Sequence, residues 1–191
     1  MVPLPRDGTG EERSAAQLTL VPATNTQLRA ALQGREALTR ALGVSVPETW
    51  PHDFLDDAAL VYTLERLEDG RAEPRWWFHF VVHTEERALV GSGGFKGAPD
   101  ASGTVEIGYG IVADRRRRGY ATAVARELTA RAFEDPRVAR VVAETLPELV
   151  GSIGVLQKNG FARVEGASEP GAIRFALERA AWERRKRSLR T

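Results

Sequence analysis

The sequence predicts a mixed α/β domain, and three observations predict it. Three runs of strand character, Arg75 to His83, Ala88 to Phe95 and Val105 to Val112, follow one another with only turns between them, as in an antiparallel meander. Between Val105 and Glu144 a strand, an alanine-rich helical pattern and another strand succeed each other, which implies a parallel crossover. The chain has 191 residues, 42% of them hydrophobic, with no internal repeat and no second-domain linker, so it suits one domain with one sizeable core.

In order along the chain, Met1 to Ala16 is rich in Pro, Gly and charge and reads as a mobile tail ahead of a single domain over 17–191. Gln17 to Pro22 is a first strand with Leu18 and Leu20 on one face. Asn25 is placed to cap a short helix through Leu32, and a second helical piece runs through Leu42. Trp50, Pro51, His52 and Phe54 form an aromatic loop that either joins the core or walls a substrate pocket. Asp56 or Asp57 then leads a helix carrying Leu60, Tyr62, Leu64 and Leu67 to Gly70.

Arg75 to His83 alternates, with Trp76, Phe78, Phe80 and Val82 on one face and Trp77, His79, Val81 and His83 on the other. The two histidines read as a partly exposed strand face, because no further His or Cys stands near them to complete a metal site. Ala88 to Phe95 is a glycine-rich return strand, and Lys96 to Gly103 connects it to the next. Beyond the central helix, which Asp135-Pro136 ends, Val138 to Glu144 reads as a buried strand. Leu149, Ile153 and Leu156 mark a short amphipathic helix stopped at Asn159-Gly160. Phe161 opens another strand, Ala172 to Leu177 pairs with it or its neighbours, and Arg179 to Thr191 is a basic terminal helix.

The stretch that carries chemistry runs from Val105 to Thr122. Val105, Ile107, Tyr109 and Ile111 share one strand face; Glu106, Gly108, Gly110 and Val112 share the other, a carboxylate beside two glycines over which a ligand can approach the backbone. Arg115, Arg116, Arg117, Arg118 and Gly119 follow, and a helix opens at Tyr120. This places four guanidinium groups before the unpaired amides of a helix N-terminus, a natural phosphate site. The glycines of a dinucleotide fingerprint and the lysine of a Walker loop are missing.

Composition narrows the classes further. With 27 basic against 26 acidic residues the chain has no global field to recruit nucleic acid or an anionic membrane, and one basic loop is a weak nucleic-acid footprint. The absence of cysteine excludes disulfides, thiolate metal sites and a cysteine nucleophile, which suits a cytoplasmic protein. No apolar run approaches the roughly 20 residues needed to span a bilayer, and the N-terminus lacks the layout of a signal peptide.

Arg116-x-x-Gly119-x-Ala121, after a strand and opening a helix, resembles the R/Q-x-x-G-x-G/A signature of the GNAT superfamily of N-acetyltransferases. A second match follows at the right separation: Ser152, Ile153, Val155, Leu156, Lys158, Gly160 and Phe161 stand at the positions of the family's N-x-x-S-I-x-V-L-x-K-x-G-F pattern. The GSGGFKG before VEIGYGIV is similar to the branch containing ribosomal-protein N-terminal acetyltransferases. The resemblance implies a GNAT-like mixed sheet with splayed parallel strands and acetyl-CoA as cosubstrate. It implies coenzyme A contacts at Ile111, Val112, Ala113, Arg116, Arg117, Arg118, Gly119, Tyr120, Ala121, Thr122 and Lys158. Leu149 replaces the family asparagine, and Leu156 stands where many members carry a proton-donating tyrosine.

Acetyl transfer to an amine needs a base and a donor. An amine of pKa about 10 must lose a proton before attack, and a thiolate whose thiol has a pKa of about 8.5 must be stabilised as it leaves. Glu106 and Glu144 are the candidate bases, with Glu106 preferred; Ser152 is the candidate donor to sulfur; and the amides of Ile111 to Ala113 suit a thioester oxygen. The expected partner is an amine, on a small molecule or a protein N-terminus, with no nucleic acid, no membrane, no metal, and room for a homodimer. The alternative from another class is a non-catalytic acyl-CoA-binding sensor or scaffold.

Overall fold

One sheet with apolar residues on both faces organises the molecule, here a computed structural model that describes residues 17–70 and 72–188. The tail expected over Met1 to Ala16 lies outside the described residues. The strands are β1 (Leu18–Pro22), β2 (Phe78–His83), β3 (Ala88–Phe95), β4 (Thr104–Ile111), β5 (Arg140–Thr145), β6 (Ala162–Val164) and β7 (Ile173–Glu178), arranged β1-β2-β3-β4-β5-β7-β6. Every neighbouring pair is antiparallel except β4–β5, the product of the predicted crossover.

Six α-helices cover the sheet among the described residues: α1 (Asn25–Gln33), α2 (Arg35–Leu42), α3 (Asp57–Glu68), α4 (Tyr120–Glu134), α5 (Val150–Lys158) and α6 (Arg179–Ser188). Phe80, Val82, Leu89 and Val112 pack on the α1–α3 side with Leu28, Leu38 and Leu60. Val105, Ile107 and Ile111 pack on the other side against Tyr120, Val124 and Leu128 of α4. Each large apolar side chain fully buried in these layers contributes roughly 1.5–3 kcal/mol. None of the described helices is long and apolar enough to cross a membrane.

Local chemistry sets the helix ends. Thr24, rather than Asn25, caps α1: its side chain accepts from the Gln27 amide while the Gln27 side chain returns to the Thr24 amide. Asp56 caps α3 by accepting from the Ala59 amide at 2.9 Å. The last carbonyls of α4 are met by Arg179, which donates to Phe133, Asp135 and Val138 at 2.6–2.8 Å and lays its guanidinium over the Phe133 ring. That grip, with Trp182 against Phe133, docks α6.

Three expectations need correction here. The strand expected from Arg75 begins at Phe78, because Pro74–Trp76 is a 3-10 turn that swings Trp76 into the α4-side core, opposite Phe78 and Phe80. His79 and His83 are buried rather than partly exposed. His79 is 1% exposed and bonded through Nδ1 to the Trp77 carbonyl oxygen. The Nδ1 of His83 accepts from the Glu86 amide, and its ring meets Tyr120 edge-on. The strand expected from Val138 starts at Arg140, since the Val138 amide closes a turn on the Asp135 carbonyl.

Candidate active site

The parallel pair β4–β5 is short. Its register covers Thr104↔Arg140, Val105↔Val141 and Glu106↔Val142, after which the strands part. On its other edge β5 pairs with β7 along all six residues. β4 spends its even-numbered residues on β3: Glu106 accepts from the Lys96 amide and Val112 donates to Val90. Alternation therefore turns the backbone groups of Tyr109 and Ile111 toward the opening. The result is a fork whose β4 arm carries the backbone of Tyr109 and Ile111 without a partner on β5, closed at its vertex beside Glu106.

The fork leads straight to the arginine loop. After a 3-10 turn at Ala113–Arg115, Arg117 (φ 62) and Gly119 (φ 80) both take left-handed backbone and set up α4. No side chain caps that helix, so the first-turn amides of Tyr120, Ala121 and Thr122 have no intrahelical acceptor. Arg117 and Arg118 stand beside this N-terminus. Arg116 is engaged otherwise: its Nε donates to the Ile111 carbonyl at 3.0 Å and its terminal nitrogen meets Asp53 at 2.8 Å. Lys158 ends α5, and its carbonyl receives Arg185.

On the α1–α3 face the expected clear ground over two glycines is halved. Space above Gly108 is open, with no atom within 4 Å of where a Cβ would stand. Gly110 lies under the His52 ring, whose Nε2 is 2.7 Å from the Ser92 Oγ and whose Nδ1 is buried without a partner. Burial, with Arg116 nearby, lowers the His52 pKa to about 4, so the ring is neutral near pH 7. The same loop is fastened to the arginine loop twice, by Asp53 on Arg116 and by the Thr49 hydroxyl on Asp114.

The two carboxylates differ in their surroundings. Glu106 is largely buried and ion-paired with Lys96, in contact but not aligned as a hydrogen bond. Glu144 accepts from the Ser168 amide and hydroxyl, each at 2.8 Å, and from Arg174 at 2.6 Å. Burial alone raises the pKa of Glu144, but those donors outweigh it and hold the carboxyl below its usual range. Its lone pairs are committed to tying β5 to β7. Of the three amides expected to meet a thioester oxygen, that of Val112 is already given to Val90.

Ser152 stands in the first turn of α5, on the α4 side of the fork, and faces the Tyr109 hydroxyl. Sequence reasoning placed Tyr109 only among the bulky residues of β4 and His52 only in an aromatic loop. The signal was there for Tyr109: a phenol between two glycines at the place where β4 and β5 part.

Comparison with known proteins agrees with the fold. Residues 17–162 match the family model described as an acetyltransferase (GNAT) domain. The chain is 31% identical over 133 residues, 69% of its length and 77% of the relative's, to an uncharacterized N-acetyltransferase, YjdG, of Bacillus subtilis (strain 168). Among solved structures, the aminoglycoside acetyltransferase AAC(6')-Ib in complex with coenzyme A superposes with a TM-score of 0.60 at 17% identity, over 88% of this chain and 99% of that one. The ribosomal L7/L12 alpha-N-protein acetyltransferase RimL, in complex with coenzyme A, gives 0.58 at 16% identity over 85% and 94%.

Proposed function

Because the chain belongs to the acetyltransferase (GNAT) domain family and is thus an acyltransferase, we propose that it moves the acetyl group of acetyl-CoA to a primary amine by direct attack. The observation that supports this most is the fork, where β4 and β5 part beyond Glu106 and Val142 and leave the backbone of Tyr109 and Ile111 without a partner on β5. An extended pantetheine arm has the shape and amide chemistry to lie against such an edge. The uncapped start of α4, with Gly119 in left-handed backbone and Arg117 and Arg118 beside it, fits the pyrophosphate. The thioester supplies an activated acyl carbon, and everything else falls to this chain's residues.

In this reading the amine sits over Gly108, the open position on the α1–α3 face, and Glu106 takes its proton directly or through water. Glu144 keeps a structural role, since its oxygens are already bonded. Ser152 donates to the sulfur, and the amides of Ile111 and Ala113 are left to meet the thioester oxygen. Arg116 trades Asp53 for phosphate or stays as a brace between the two loops. A protein N-terminus and a small-molecule amine both fit as acceptor.

The test is acetyl-CoA consumption across peptides with free N-termini and small amines, with the acetylated product identified by mass. Acceptor-dependent release of free thiol is the expected result. Coenzyme A binding without turnover on any acceptor would make the protein a cofactor-binding sensor instead.

A further inference from the structure

Tyr109 presents a contradiction that a purely structural residue would not keep. Its hydroxyl is buried and has no hydrogen-bond partner. An unpaired buried hydroxyl costs stability, and phenylalanine would fill the same space without that cost. The hydroxyl lies close enough to Ser152 for the two to interact, yet not in the alignment of a hydrogen bond. Tyr109 is also one of the two β4 residues whose backbone turns into the fork, and Ser152 lies in the first turn of the helix that follows the other arm.

We propose that Tyr109 is a positioning residue for thiol departure: once the acyl donor is bound, its phenol donates to the Ser152 oxygen and so turns the single Ser152 proton toward the sulfur. This rests on the reading of Ser152 as the donor to sulfur. A serine hydroxyl has one proton and two lone pairs, so a donor behind it fixes which way the proton points. In the reaction the amine nitrogen bonds to the acyl carbon, the carbon–sulfur bond breaks, and its electron pair goes to sulfur. An ammonium acceptor loses two protons overall. One leaves by way of Glu106; the equivalent of the other ends on sulfur through Ser152, which gives up its own proton and regains one. Tyr109 keeps its proton throughout, because burial, only partly opposed by Ser152, pushes its pKa up to about 12, well above a thiol at about 8.5.

Tyr109→Phe removes one oxygen and nothing else. The expected outcome is a kcat roughly tenfold lower, a coenzyme A Kd and an acetyl-CoA KM within about twofold of the parent, and a thermal midpoint that is equal or higher. Ser152→Ala should be at least as slow, and the double variant no slower than Ser152→Ala alone, since the phenol acts through the serine. Normal turnover in Tyr109→Phe beside a slow Ser152→Ala overturns this inference and leaves the Ser152 reading standing. Normal turnover in Ser152→Ala overturns both. Multiplying losses in the double variant, or a lowered midpoint in Tyr109→Phe, return Tyr109 to an independent or structural role.

Discussion

Gly110→Ala would add a single methyl group in the one place on β4 where the structure has no room for it. The new Cβ would stand 2.2 Å from His52 Cε1, 2.4 Å from Nδ1 and 2.5 Å from Nε2, so the ring must leave. Its departure strands the Ser92 hydroxyl, which is buried and has His52 as partner, at about 2 kcal/mol. The edge contact between the His52 and Trp50 rings, with centroids 6.2 Å apart, is lost as well, for about 1 kcal/mol. Replacing glycine by alanine in a strand returns about 1 kcal/mol of chain entropy. The net loss is about 2 kcal/mol, and for a chain of this size the midpoint falls by roughly 4–8 °C. Urea denaturation of Gly110→Ala, His52→Ala and the double variant checks it, because with the ring gone the methyl group should cost nothing. A penalty below about 0.5 kcal/mol, or an equal penalty in the His52→Ala background, would refute the reasoning.

Other perturbations address the chemistry. Gly119→Val puts a branched side chain on left-handed backbone in front of the α4 amides, and calorimetry should show coenzyme A affinity at least tenfold weaker with the far-ultraviolet spectrum retained. Glu106→Gln should lose rate chiefly near neutral pH and recover in part at high pH, where the amine deprotonates unaided; a flat loss across the pH–rate profile would reassign the base. Burial lowers both His52 and His79 to a pKa of about 4, so below about 6.5 the unfolded chain binds protons that the folded one does not. Stability from these two rings is complete above pH 6.5 and declines from there toward pH 4, by up to about 1.4 kcal/mol per pH unit each. Denaturation at several pH values should show a shallower decline once His79 is replaced by Gln.

The parts of the fold governed by neighbours in sequence were legible. β4, the arginine loop and α4 announce themselves through period-2 alternation, a charge run and an alanine-rich helix, and the crossover to β5 follows from handedness and order. Thr24 and Asn25 are both capping residues, and only the reciprocal bond from Gln27 selects Thr24. Trp76 followed the strand period, but Pro74 favours a 3-10 turn that breaks it. What sequence could not show depends on distant cover. Gly110 looked open because nothing local says that a loop from before α3 will lay His52 on it. Glu144 looked available because Arg174 and Ser168 come later in the chain. The fork itself depends on how few residues of β4 and β5 pair, which no residue type encodes.

The strand order also gives the cleft a place in time. β5 meets β4 at three residues and β7 at six, so the arm that opens the fork is held mainly by a strand synthesised later, and Arg179, which seats the last helix on the tail of α4, follows β7 directly. A ribosome that has delivered everything through α5 has made the arginine loop, β4 and Ser152, but has not yet made the strand that pairs with β5 along its whole length. Ligand affinity should therefore arrive late and abruptly during translation, absent from chains that stop before Ala172 and present once Glu178 and Arg179 have emerged, as coenzyme A binding by staged truncations would show. Acyl donors would be kept from half-built copies without any dedicated guard.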